Sequence, residues 1–169
     1  EDTTLPDTTA ELPVSIACGN HTLTAATSVD VSSVSFTHDS ASELVVSNGV
    51  VITLTSTQAE AFGSISNSGT LNISNTLAGS GGVSSINTIA GGSTGTVIAT
   101  VNGTSSQLSQ LTANGTSSTQ NYTMAVSTVA TVLLAVAIVD ATAASTVDFS
   151  TAGINDEFSA LTSGTNVSS

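Results

Sequence analysis

The chain has 169 residues, enough for one domain with a buried core. It contains no Lys or Arg, 12 acidic residues, two histidines and only 3% aromatic residues, for a formal net charge of −12. Phosphate recognition depends on Lys and Arg, so the composition excludes nucleic-acid binding, attraction to an anionic membrane surface and P-loop phosphoryl transfer.

Charged residues make up 7% of the chain, far below the roughly 25% of an ordinary soluble domain. Hydrophobic content is 39% and the mean hydropathy is positive, which predicts a folded protein with a hydroxyl-coated surface rather than a disordered one. Cys18 is the only cysteine, so no intramolecular disulfide can form. Glu1 follows no apolar leader and reads either as a processed terminus or as the cut end of a longer chain.

In chain order, residues 1–15 carry both prolines, Pro6 and Pro13, and four acids. Proline cannot occupy a central strand, so this segment is expected to be an extended arm or cap, with residues 16–169 forming one β-rich domain. An arm of this kind can also donate a strand to a neighbouring subunit. From His21 onward, short β-branched segments begin at His21, Glu43, Thr70, Thr96, Asn121 and Thr146, the last four about 25 residues apart. Shifting Thr96–Thr112 by 50 residues onto Thr146–Thr162 aligns Val97 with Val147, Leu108 with Phe158 and Leu111 with Leu161. A fixed period of 20–50 residues is the mark of a stacked array.

Apolar pairs three residues apart (Val83/Ile86, Leu108/Leu111, Phe158/Leu161) fit one helical or 3₁₀ turn. The Ala-rich segments Thr57–Phe62 and Val132–Val139 are long enough for short helices. The glycine clusters Gly79-Ser80-Gly81-Gly82 and Gly91-Gly92 suit tight corners. The predicted fold is therefore mainly β, a stacked β-solenoid-like repeat of about 25 residues per unit with short helical turns. An antiparallel β-sandwich or jelly roll is the alternative. Met124 to Val139 is too short for the roughly 20 apolar residues of a membrane helix, so a buried element is expected there.

Candidate chemistry is sparse. His38-Asp39 with Glu43 is the one His/carboxylate group, and no G-x-S-x-G elbow accompanies the many serines, so no enzymatic activity is expected. Asp140, Asp148, Asp156 and Glu157 could gather oxygen ligands for calcium, the only cofactor the sequence suggests. Six N-x-S/T sequons, at Asn20, Asn72, Asn102, Asn114, Asn121 and Asn166, are glycosylation candidates.

The segments ITLTSTQAEAFGSISNSGTLNIS and TVATVLLAVAIVDATAASTVDFSTAGINDEFSALTSGT resemble tandem repeats of bacterial surface-layer and adhesin-like proteins, rich in Thr, Ala, Gly and Asp. The resemblance spans Val51 to Thr165. It implies an extracellular, non-enzymatic, calcium-assisted structural role, and it carries over no site residue.

The resulting expectation is a structural subunit of an extracellular filament or surface layer, with copies of itself as partner. The last unit, from Thr146, has no polar cap before Ser169, which leaves an end for another copy to cover. The alternatives are an adhesin or carbohydrate-binding module with a glycan partner, and a glycosylated archaeal pilus subunit assembled through donor strands of residues 1–15.

Overall fold

The computed structural model describes residues 3–5, 15–19, 22–38, 42–112, 119–140 and 146–154. Strands dominate: β1 (Thr3–Thr4), β2 (Ser15–Gly19), β3 (Thr22–Ala25), β4 (Val29–Asp30), β5 (Ser35–His38), β6 (Glu43–Val46) and β7 (Val51–Leu54) come first. After helix α1 (Ser56–Ala61) follow β8 (Ser64–Asn67), β9 (Thr70–Ile73), β10 (Leu77–Ala78) and the longer α2 (Gly79–Gly91). Then come β11 (Thr96–Gly103), α3 (Ser105–Leu108), β12 (Thr119–Val126), α4 (Val132–Asp140) and β13 (Thr146–Asp148).

One sheet has the order β1-β3-β6-β8 and a second the order β13-β12-β11-β9-β7-β4, with β10 also on β11 and a separate β2-β5 pair. Every pairing among the described strands is parallel, and paired residues lie 19 to 26 positions apart in sequence. The mainly β expectation therefore holds, and the antiparallel alternative does not. A parallel neighbour requires the chain to return to the same end before pairing, which antiparallel hairpins never do.

Equal 25-residue spacing is not what the pairings follow. Thr70 does face Thr96, but Asn121 faces Ile98, and Thr146 faces Thr123. The connections differ, from the turn between β6 and β7 to the 13-residue α2, so the stagger differs too. Side chains in strands repeat every two residues, so a slip of two or four leaves the apolar pattern intact and hides the true register. The segments at 22–25 and 43–46 also belong to the first sheet, whereas 70–73, 96–103 and 119–126 belong to the second.

Alternation builds the core. Leu23, Leu44 and Ile65 stand in register and point inward, as do Ile52, Leu71 and Val97 on the other sheet. Residues between them, such as Thr24, Val45 and Thr53, are only half-buried. The two sheets and the helices share one apolar cluster.

The helices pack in a row, α1 on α2, α2 on α3 and α3 on α4. Thr55 and Thr104 begin α1 and α3 with the same capping box, in which the threonine hydroxyl accepts the backbone N–H of Gln58 or Gln107 and that glutamine accepts the threonine N–H. The layer further along the chain completes each cap: Asn75 accepts from Ser56 N–H, and Thr128 from Ser105 N–H. Val83 and Ile86, one of the apolar pairs, are buried on α2, and Leu108 and Leu111 are buried at α3. Phe158 and Leu161 lie outside the described residues. Gly79, at φ 65°, makes the corner between β10 and α2, and Gly81 and Gly82 continue into the first turn of the helix. A Cβ on Gly82 would stand 2.7 Å from the Leu77 carbonyl carbon, so glycine lets the helix start against β10.

Candidate functional site

The described surface offers two features with a defined shape: an apolar end around α4, and the outer face of the second sheet. At the first, Thr131 accepts from the Leu134 N–H and so opens α4. Val132, Ala135 and Ile138 fall on one side of the helix and are buried, which fixes its orientation. Leu133 then faces away and is 78% exposed, while Val139, near the C-terminal end of the helix, is 50% exposed. Val129, at 55%, and Ile154, at 49%, flank the helix through the parallel bridge from Ala130 to Ile154. Of the five large apolar side chains that are exposed among the described residues, these four lie on residues 129–154 and Val51 lies elsewhere.

The same end carries β13, which pairs with β12 only, while β4 closes the opposite edge of that sheet. Each terminal strand leaves one row of backbone N–H and C=O groups unpaired among the described residues. In the first sheet, β1 covers β3, and Leu5 beside it is buried, with its N–H donating to the Thr24 carbonyl.

On the second sheet, Thr70, Thr96 and Thr119 share one register row, Asn72, Ile98 and Asn121 the next, and Thr100, Thr123 and Thr146 another. Asn72 donates its amide to the Thr53 hydroxyl on the neighbouring strand. Asp30 and Asp148 mark the two ends of this face.

The sequence-predicted calcium ligands are not brought together by what is described. Asp140 is the last residue of α4, and Asp148 ends β13 with its carboxylate accepting the Ser150 N–H. The Ser150 hydroxyl and then its N–H hold the Asp148 carboxyl below the usual aspartate range. Asp156 and Glu157 lie outside the described residues. No group of three or more His, Cys, Asp or Glu side chains gathers among the described residues. His38 closes β5, and Glu43 begins β6, where its carboxylate accepts the Ser66 hydroxyl; Asp39 is outside the described residues.

Of the sequons, Asn121 is exposed on β12, and Asn72 and Asn102 are half-buried on β9 and β11. Asn20, Asn114 and Asn166 lie outside the described residues. No described helix is long and apolar enough to cross a membrane: Met124 to Val139 divides between β12 and α4.

Two polar centres escaped the sequence reading. Gln58 donates to the Val31 and Val34 carbonyls while accepting from Thr55 N–H, which joins α1 to the preceding layer. The pattern Thr55-Ser56-Thr57-Gln58 was a legible signal for its capping half. Asn67 is fully buried, donating to the Ser93 hydroxyl and the Thr96 carbonyl, while its Oδ1 has no partner among the described residues. Nothing in the local sequence marks it. The chain matches no family model, no curated protein and no solved structure.

Proposed function

We propose that this chain is a structural subunit that stacks end to end into an extracellular filament or layer, in a solenoid-like manner, without catalytic work. The observation that carries the reading is the concentration of exposed apolar side chains (Val129, Leu133, Val139 and Ile154) beside β13, the end strand of the second sheet among the described residues. A second copy placed with its β4 edge against β13 meets both needs, pairing backbone groups and covering Leu133. Such a contact joins unlike ends, so it does not close, and it propagates as a filament. The resemblance to surface-layer and adhesin-like repeats points to the same class.

Two alternatives fit less well. Donor-strand assembly needs residues 1–15 free to leave, yet β1 is paired with β3 of its own chain and Leu5 is buried. Glycan binding uses exposed aromatic platforms, whereas Tyr122 and Phe62 are buried and Phe36 meets Phe62 edge-on at 5.9 Å.

Negative-stain microscopy of purified protein over a concentration series, at an ionic strength that screens the acids, tests the reading. Wild type forms uniform fibres and Leu133→Asp does not, while both give the same monomer circular dichroism. Wild type that remains monomeric throughout, or a variant that assembles equally well, sinks it.

A further inference from the structure

The acids are distributed unevenly: eight precede residue 61, four follow residue 139, and residues 61–139 hold no charged side chain and no histidine. The strands from β8 to β12 all come from this span, so the middle of the second sheet is free of charge while its two ends carry Asp30 and Asp148. The outer face there includes Thr70, Asn72, Thr96, Ile98, Thr100, Asn121 and Thr123, held in rows by the parallel register. Threonine is stiff at χ1, and Asn72 is tied to Thr53, so these side chains lose little freedom on contact.

We propose that this neutral face is a lateral docking surface for a second copy of the same chain, sheet against sheet. In a chain of net charge −12 with no cation to offset it, two copies repel wherever acids meet. The face of β9, β11 and β12 is the flat, strand-built part of the charge-free span, and copies can approach there without that repulsion. Small β-branched and amide side chains suit a sheet packed about 10 Å from its twin, related by a two-fold axis. Three strands at about 4.8 Å and some six residues at about 3.3 Å give a face of roughly 300 Å² per copy, over a third of a standard interface. The contact is therefore weak between single copies and accumulates when copies stand in file, turning filaments into ribbons or layers. The inference rests on end-to-end stacking for its strength but not for its existence. A glycan on Asn121 would stand on this same face and block it.

The test uses full-length protein from a host without N-glycosylation, as wild type, Thr123→Glu and the neutral control Thr123→Gln. Thr123 is exposed, so folding should survive, and Asn121→Asp, of the same size, serves as a second charged variant. Sedimentation velocity up to millimolar protein reads the contact between soluble copies, and microscopy reads ribbons. Wild type and Thr123→Gln self-associate side by side, while the charged variants lose this by tenfold or more, about what one pair of facing like charges costs. Ribbons unchanged in Thr123→Glu and Asn121→Asp overturn the proposal, as do wild-type filaments that remain single. Reversible dimers without filaments support the lateral contact and sink end-to-end stacking. Copies that stay monomeric at millimolar concentration overturn it, including when they adsorb to a neutral crystalline polysaccharide instead.

Discussion

Leu44 provides the sharpest test of how the layers are built. It is fully buried in the middle of β6, in register between Leu23 of β3 and Ile65 of β8. Leu44→Ala removes most of its side chain, and the backbone ladders on either side hold the two neighbours apart, so the void cannot close. Leucine truncations in such cores cost 2–5 kcal/mol, and this site falls in the upper half, about 4 kcal/mol. Against a total stability on the order of 5–15 kcal/mol, that is a large part of the fold. Val45, the next residue, faces outward and is half-buried, so Val45→Ala costs under about 1 kcal/mol. Urea unfolding followed by far-ultraviolet circular dichroism measures both, with unchanged m-values. Equal losses in the two variants, or a larger loss at Val45, would refute the inward register of the column.

Three further outcomes follow from named contacts. Gly95→Ala, whose Cβ would stand 2.5 Å from the Gly69 carbonyl oxygen, destabilises by about 1–3 kcal/mol, whereas Gly81→Ala, with open space on α2, is neutral or stabilising by up to about 1 kcal/mol in thermal melts. Gln58→Ala forfeits the bonds to the Val31 and Val34 carbonyls and to the Thr55 N–H, and costs about 1–3 kcal/mol; amide exchange should quicken first around residues 31–34. The Asp148 carboxyl, held low by Ser150, titrates below the ordinary aspartate range by NMR, and Ser150→Ala moves it back up. Its ionised form is favoured by folding, so that contribution is present above the unfolded-state value and is lost as pH falls through the lowered one.

Much of the fold was legible because it rests on local rules. Alternation in Thr22–Ala25, Glu43–Val46, Thr70–Ile73 and Thr96–Gly103 announced strands, and the Ala-rich runs announced α1 and α4. Which strand sits beside which was not legible. Register in a Ser/Thr-rich chain survives a two-residue slip without changing which side chains face inward, so Asn121 seemed to continue the row of Thr96 when Thr119 does. The glycines of α2 were only partly legible: Gly79 does turn the chain at φ 65°, but Gly82 lies inside the helix, where close packing against Leu77 selects glycine. Asn67 could not be foreseen, since its partners Ser93 and Thr96 lie across a 13-residue helix from it. At the candidate site, the apolar run Val132–Val139 was visible, but only the burial of Val132, Ala135 and Ile138 showed that Leu133 turns outward.

The central claim is that copies stack along the direction in which the strands are layered. Fibre diffraction from aligned assemblies tests this most directly. Strands stacked end to end give a meridional reflection at about 4.7–4.9 Å, parallel to the fibre axis. The account predicts that reflection on the meridian for wild type and for Thr123→Glu. The same spacing on the equator would mean that copies join side by side instead, and would contradict it.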